Sequence, residues 1–127
     1  MDYNIAQWKS EYESGNQLVD EQHKFLFSLI NTLHNAMLTG QGKSVVNKII
    51  HSLYEYVVVH FSTEEVYMLD HHYPHYFEHC KKHDDLKRRL VELDEDNVVT
   101  LSRFLTDWLI NHIQHDDLKM VEFCNRY

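Results

Sequence analysis

The chain has 127 residues, of which 43% are hydrophobic and 25% are charged, and this composition is typical of a single folded domain spanning residues 1–127. Twelve basic against twenty acidic residues give a net charge of −8, which argues against nucleic acid or an anionic membrane surface as a partner, because both attract positively charged proteins. There is no run of 18 apolar residues, no signal-peptide pattern and no CxxC pair, so we expect a cytoplasmic protein.

Four helices are predicted along the chain. A polar leader that ends at Gly15 comes first, and the breaks between helices lie at Gly40 and Gly42, at Pro74 and at the acidic run 94–97. Between the breaks, apolar residues recur at alternating spacings of three and four, as in a helix with one buried face. These apolar positions are Leu26, Ile30, Leu33 and Met37 in the first helix, Val46, Ile50, Leu53, Val57 and Tyr67 in the second, Tyr76, Leu86, Leu90 and Leu93 in the third, and Val98, Leu101, Leu105 and Trp108 in the fourth.

The residues at the helix starts also fit this division. Asp20 and Ser44 are predicted N-caps, Pro74 suits the first turn of the third helix, and Asp96 or Asn97 could cap the fourth. Helices joined by short loops pack as antiparallel neighbours. The predicted fold is therefore all-α, an antiparallel up-down-up-down four-helix bundle with an extended N-terminal leader.

Each of the four buried faces is interrupted by histidine. A single histidine of this kind is most simply a core residue with a protein partner, because burial of an unpaired polar group costs about 1–3 kcal/mol. Several on four faces, with two pairs spaced four apart on one helix face, favour a transition-metal site instead. The interrupting residues are His23, His60, Glu64, His79, His83 and His112.

The ordered motifs around these residues resemble the hemerythrin family, specifically its single-domain bacteriohemerythrins. The motifs are VDEQH ending at His23, HFSTE at 60–64, HCKKH at 79–83 and HIQHDD at 112–117, and they extend over nearly the whole chain. The resemblance implies a cofactor of two non-haem iron ions bridged by an oxo or hydroxo group and by two carboxylates. The metal ligands that it implies are His23, His60, Glu64, His79, His83, His112 and Asp117.

Asp117 is the implied ligand that helix spacing does not favour. It lies five residues after His112, which puts the two side chains about 140° apart on an ideal helix, whereas Asp116 lies four residues after it. The resemblance implies Asp117, and the helix would then bend or loosen near its end, or the carboxylate would reach across. His115 is a weaker rival as a ligand.

The other titratable residues are expected to have no role at the site. His71, His72 and His75 surround Pro74 and should be solvated. The remaining two histidines, His34 and His51, should lie at the surface or rim, and Glu65 should be solvated.

The resemblance also implies where dioxygen binds. The iron held by His79, His83 and His112 would have a filled coordination sphere, whereas the iron held by His23 and His60 would keep one open position, as binding of an exogenous molecule requires. The pocket residues expected around that position are Leu26, Phe61, Trp108 and Leu109.

Reversible dioxygen binding, for storage, transport or delivery, is the function that the resemblance implies, and the chain is not expected to be an enzyme. The alternatives are a sensor of oxygen, redox state or nitric oxide, or a di-iron oxidase. Ferritin-like oxidases use mostly carboxylates, whereas five histidines and two carboxylates favour a binder. A zinc hydrolase is disfavoured because HCKKH lacks the glutamate of HExxH. Dioxygen is the expected partner, and an oxygen-consuming enzyme or a signalling protein stays open as a further one.

Overall fold

The structure is a computed structural model that describes residues 5–92 and 98–126, without the side chains of 98–100. Its helices are α1 (Gln17–Leu38), α2 (Lys43–Asp70), α3 (Tyr76–Val91), α4 (Val98–His112) and α5 (Leu118–Arg126), and a π-helical turn, Ile113–Asp117, joins α4 to α5 without a break.

The helices form the predicted all-α bundle, in which α4, the π turn and α5 together make the fourth helix. The α1–α2 and α2–α3 connections are short, so consecutive helices run antiparallel. Helix α1 packs against both α2 and α4, and α2 packs against α3. Inward-facing side chains of α1, α2 and the fourth helix therefore meet along one axis. No helix within the described parts of the chain combines the length and the apolar character needed to cross a lipid bilayer.

The leader lies against α1 through aromatic side chains. Trp8 and Tyr12 contact each other edge-on at 5.6 Å, and both contact Phe27 of α1 in the same way, at 5.4 and 5.9 Å. The backbone N–H and carbonyl of Ala6 both bond the side-chain amide of Asn31. These contacts fix the leader beside the N-terminal half of α1, where His23 lies.

The helix starts differ from the predicted ones. Asn16, not Asp20, caps α1, because its side chain accepts from the backbone N–H of Val19. The carboxylate of Asp20 instead accepts bonds from Ser14, including its hydroxyl at 2.7 Å, and so closes the turn before the helix. At that turn Gly15 has a φ of +92°, which a side chain would strain.

The other predicted caps were wrong or lie outside the described residues. Gly42, not Ser44, occupies the N-cap position of α2. Helix α3 starts at Tyr76 after His75, so Pro74 precedes the helix instead of lying in its first turn. The cap positions predicted for the fourth helix, Asp96 and Asn97, lie outside the described residues.

Two apolar clusters fill the bundle, one on each side of a polar layer. The main cluster includes Leu26 of α1, Phe61 of α2 and Ile113 of the π turn. The second cluster includes Met68 of α2 and Met120 of α5. Glu64 lies between Phe61 and Met68 along α2, and Asp117 lies between Ile113 and Met120, so both carboxylates fall in the layer that separates the clusters. Of the predicted apolar positions, Leu93 and the side chain of Val98 lie outside the described residues.

Candidate metal centre

Seven polar side chains from all four helices of the bundle converge in this layer. Their ligand atoms form two groups, within each of which every atom lies within 4.8 Å of the others. One group comprises Glu64, His79, His83, His112 and Asp117, and the other comprises His23, His60, Glu64 and Asp117. All seven residues are buried, and they are the seven that the resemblance implies as ligands, a role that stays a prediction.

The two carboxylates belong to both groups, and each divides its oxygens between them. Oε2 of Glu64 lies 3.3 Å from Nε2 of His23 and 3.1 Å from Nε2 of His60, whereas Oε1 lies 3.4 Å from Nε2 of His79 and 3.0 Å from Nε2 of His83. Two cations, one in each group, would therefore be bridged by this carboxylate.

Asp117 divides its oxygens in the same way. Its Oδ2 lies 2.9 Å from Nε2 of His23, and its Oδ1 lies 3.0 Å from Nε2 of His79 and 3.2 Å from Nε2 of His112. Both carboxylates are thus placed to bridge two metal positions.

The π-helical turn explains how Asp117 reaches the site. A π-helix closes its backbone hydrogen bonds between residues five apart, and such turns often occur at functional sites. Because the turn spans Ile113–Asp117, the residue five after His112 returns to the face of His112. Asp116 lies outside instead, where it accepts a 2.9 Å bond from Nδ1 of His112 and pairs with Lys82. The predicted loosening of the helix is therefore present at this end of the chain.

The outer nitrogens of three histidines have hydrogen-bond acceptors from other side chains. Nδ1 of His60 donates to Oε1 of Gln22 at 2.7 Å, and Nδ1 of His83 donates to Oε2 of Glu65 at 2.9 Å. His112 donates to Asp116 as described. Because Nδ1 carries the proton, the inner Nε2 of a neutral ring carries a lone pair, which is the form that binds a metal.

The inner atoms are left without adequate partners inside the protein. Nε2 of His83 and Nε2 of His112 lie 3.1 Å apart and share a hydrogen bond only while one of them is protonated, so two neutral rings with outer protons would need a metal ion there. Both oxygens of Glu64 and of Asp117 are buried without a hydrogen bond, as are Nε2 of His23, His60 and His79. Such burial is costly for polar groups, and metal coordination would satisfy all of these atoms together, so the residues fit a pair of metal ions.

The electrostatics of the layer also favour cations. Burial opposes ionisation of Glu64, but His60 and the other facing histidines hold its pKa well below the usual range. Burial lowers the pKa of His23, but the nearby carboxylates of Asp117 and Glu64 outweigh it and raise that pKa to about 9. The pKa of His112 is likewise raised, because Asp117 and Asp116 outweigh the effect of burial. In the metal-free chain, protons on His23 and His112 therefore supply part of the positive charge that metal ions would bring.

Apolar and aromatic side chains enclose the site. Phe61 stacks on the ring of His83 with centroids 3.7 Å apart, and Trp108 stacks on His112 at 4.6 Å. Leu26 and Leu109 are buried in the same main cluster. Trp108 is partly exposed and, with His112, borders a surface pocket of about 390 Å³. The assignment of Leu26, Phe61, Trp108 and Leu109 to a dioxygen pocket stays a prediction.

Two expectations about the remaining residues were wrong. His34 is buried, not at the rim, and its Nδ1 lies 2.8 Å from the hydroxyl of Ser102 on α4. Glu65 is not merely solvated, because it accepts the bond from His83. Sequence spacing could not show either contact, since the partners lie 68 and 18 residues apart on other helices. Gln22 was missed for the same reason.

The other histidines lie outside the site, as expected. His51, His72, His75 and His115 are exposed. His71 was expected to be solvated, but it is partly buried and donates from Nδ1 to the carbonyl of Tyr67 at 2.9 Å.

Comparison with known families gives one match over most of the chain. The family described as hemerythrin HHE cation binding domain matches residues 14–124. Among similar proteins, the bacteriohemerythrin of Pseudomonas paraeruginosa is 34% identical over 121 residues, which cover 91% of this chain and 78% of that protein. The bacteriohemerythrin of Methylococcus capsulatus is 33% identical over 119 residues, covering 85% of this chain and 87% of that protein.

Solved structures show the same similarity. A wild-type hemerythrin crystal structure superposes with a TM-score of 0.83 at 31% identity and covers 91% of this chain and 94% of its own. The structure of a single-residue variant of hemerythrin superposes with a TM-score of 0.87 at 28% identity, covering 95% of this chain and 98% of its own.

Proposed function

The chain belongs to the hemerythrin family, and from this premise we propose that it binds dioxygen reversibly at a non-haem di-iron centre and is not an enzyme. The proposed role is storage, transport or delivery of oxygen. The observation that carries the proposal is the division of both buried carboxylates between two groups of histidines, since this arrangement suits two metal ions with shared ligands.

In this proposal the two metal ions have different numbers of histidine ligands. His79, His83 and His112 would hold one iron, His23 and His60 would hold the other, and Glu64 and Asp117 would be shared between the two, together with the oxo or hydroxo group of the proposed cofactor. A bound pair of ferrous ions supplies the two electrons and the open coordination position that reversible dioxygen binding needs. Two histidines against three leave the open position on the His23/His60 side, as in other metal sites that bind an exogenous molecule.

The apolar side chains would exclude water from the open position. Leu26, Phe61 and Leu109 are buried in the main cluster next to the metal layer. Exclusion of water prevents side reactions of a bound ligand, including loss of protons and hydrolysis. This wall therefore favours release of the bound oxygen as dioxygen over irreversible oxidation of the metal.

A spectroscopic oxygenation cycle tests the proposal. Protein produced with ample iron is reduced anaerobically, exposed to oxygen and then placed under vacuum, with metal content measured alongside. We expect two irons per chain, a visible absorption band that appears with oxygen, and loss of that band under vacuum. A zinc protein would show no such band, and direct conversion to the diferric form without a reversible step would refute reversible binding.

Leu109→Ala tests the apolar wall. The substitution removes a buried side chain three residues before His112, so water should enter and autoxidation of the oxygenated protein should be several times faster. Leu105→Ala, one turn earlier on the same buried face of α4, is the matched control and should change autoxidation less. Equal autoxidation rates in wild-type and Leu109→Ala protein, at unchanged iron content, would show that Leu109 does not line the oxygen position.

A further inference from the structure

The outer hydrogen bonds of the inward-facing histidines differ between the two metal positions. On one side, His83 and His112 each donate from Nδ1 to a carboxylate, Glu65 and Asp116, at 2.9 Å. On the other side, His60 donates to the neutral amide oxygen of Gln22 at 2.7 Å.

His23, the other histidine on the His60 side, has even less support for its outer nitrogen. Its Nδ1 is buried and, within residues 5–92 and 98–126, has no hydrogen-bond partner. The nearest aromatic neighbour from the leader is Trp8, whose ring lies 6.4 Å from the His23 ring and whose Nε1 is also a donor. A second donor cannot accept the Nδ1 proton, so this imidazole lacks the support that His60, His83 and His112 receive.

The chemical consequence concerns electron donation to the metal. An acceptor on the outer N–H fixes the ring orientation and tautomer and raises the basicity of the inner nitrogen. An ionised acceptor makes a hydrogen bond about twice as strong as a neutral one. Carboxylate-bonded His83 and His112 should therefore be the strongest donors, amide-bonded His60 weaker, and His23 the weakest.

We propose that these outer partners make the two metal positions unequal, with Glu65 and Asp116 acting as positioning residues that create a tight, electron-rich position at His79, His83 and His112. The position at His23 and His60 is the weaker one. This inference rests on the proposed function because it concerns the same pair of metal positions. Strong donation from His83 and His112 would lower the reduction potential of an iron bound beside them, and weaker donation from His60 and His23 would favour release of oxygen bound on their side.

The charge of Lys82 reduces the electron donation that Asp116 supports at His112. Its ammonium pairs with Oδ1 of Asp116, while Oδ2 of the same carboxylate accepts from His112. Because the Lys82 charge draws electron density from Asp116, the carboxylate supports His112 less than a solitary one would. Replacement of Glu65 should therefore change metal binding more than replacement of Asp116.

The test is an anaerobic calorimetric titration of the metal-free protein with ferrous iron. Wild-type protein should bind the two ions in separate steps. Glu65→Ala should weaken the tighter step by about 10–100-fold and leave the weaker step changed much less. Glu65→Gln keeps an oxygen acceptor but removes the charge, so it should lie between wild type and Glu65→Ala.

Gln22→Glu provides the opposite change. It gives His60 the carboxylate that His83 already has, so the weaker step should tighten and the two affinities should approach each other. Glu55→Gln, on the exposed face of α2 where Glu55 pairs with His51, is the matched control and should change neither step.

Reduction potentials separate electron donation from simple support of the fold. In the iron-loaded protein, Glu65→Gln should raise the potential of one iron only, whereas a fold defect would affect both irons and the helical circular dichroism. Equal wild-type steps would overturn the inference, and so would a Glu65→Gln variant with wild-type steps and potentials. If Glu65→Ala does not fold, Glu65→Gln and Gln22→Glu still decide the question.

These measurements do not depend on oxygen. A protein that binds two ferrous ions unequally but never releases oxygen would keep this inference and lose the proposed function. A protein that binds oxygen reversibly at two equal positions would keep the proposed function and lose this inference.

Discussion

Two buried histidines on α1, His23 and His34, lie about three helical turns apart and have opposite surroundings. Nδ1 of His34 pairs with the hydroxyl of Ser102 at 2.8 Å, within the apolar part of the bundle. Both nitrogens of His23 are buried without a hydrogen bond, and Nε2 lies 2.9 Å from the carboxylate of Asp117. Both histidines are buried, so burial alone does not distinguish a structural histidine from a candidate ligand.

The two rings differ in which neighbouring groups can complete their hydrogen bonds. A hydroxyl can donate or accept, so one partner on a neighbouring helix completes the hydrogen bond of His34. The environment of His23 offers carboxylates that accept and other imidazoles that compete for the same space. Positive charge, as protons or metal ions, is needed there, and the predictions below test that distinction.

The largest expected effect is loss of metal on removal of a shared carboxylate. Glu64→Ala should lose most of the iron from both positions, because Glu64 faces both groups of histidines. Metal analysis of the purified variant checks this, with Glu64→Gln as a variant of nearly unchanged shape. His75→Ala, at an exposed histidine, should keep the wild-type iron content, and two irons per chain in Glu64→Ala would remove Glu64 from the ligand set.

The second largest expected effect distinguishes the adjacent residues Asp116 and Asp117 by their influence on metal binding. Asp117→Ala should lose most of the metal, whereas Asp116→Ala should retain both ions, with binding beside His112 weakened by about 10-fold, the low end of the usual range, because Asp116 supports His112 from outside and also pairs with Lys82. Iron content after dialysis against a graded series of chelator concentrations compares the two. A greater loss in Asp116→Ala would mean that the π turn does not present Asp117 to the metal.

The metal-free protein should lose stability as pH rises. The pKa of His23 is raised from 6.5 to about 9 in the folded chain, so its stabilising contribution is complete below about pH 6.5 and is lost as pH rises through 9. The raised pKa values of His79 and His112 act in the same direction. His60 acts oppositely at lower pH, because burial lowers its pKa.

Urea unfolding of metal-free and iron-loaded protein between pH 6 and pH 9.5 measures this dependence. The iron-loaded protein should show little change across the window, because metal replaces the protons. Stability of the metal-free protein that stays constant or increases toward pH 9 would contradict protonation of His23 in the folded chain.

The smallest effect concerns the structural histidine. His34→Ala should lower the free energy of unfolding by about 1–3 kcal/mol, since it removes a buried side chain and its hydrogen bond to the Ser102 hydroxyl, and iron content should stay at the wild-type value. His51→Ala, at an exposed position, should change stability by no more than about 0.5 kcal/mol. Loss of iron in His34→Ala would show that the two buried regions are not independent.

The sequence predicted the bundle and the convergence of the polar residues because both depend on local periodicity. Apolar spacings of three and four set the buried face of each helix, and residues four apart, such as His60 and Glu64, must share a face whatever surrounds them. The role of these residues as metal ligands stays a prediction until metal content is measured.

Other features depended on the rotation and level of one helix relative to another, which local spacing does not contain. The hydrogen bonds from His83 to Glu65 and from His60 to Gln22 cross between helices, and so does the contact of His34 with Ser102. Helix spacing correctly predicts that Asp116 lies next to His112. In the structure, however, Asp116 contacts the outer nitrogen of that ring. Only the π turn, a backbone change of one extra residue, brought Asp117 to the inner nitrogen, because it shifts which residue returns to the face of His112.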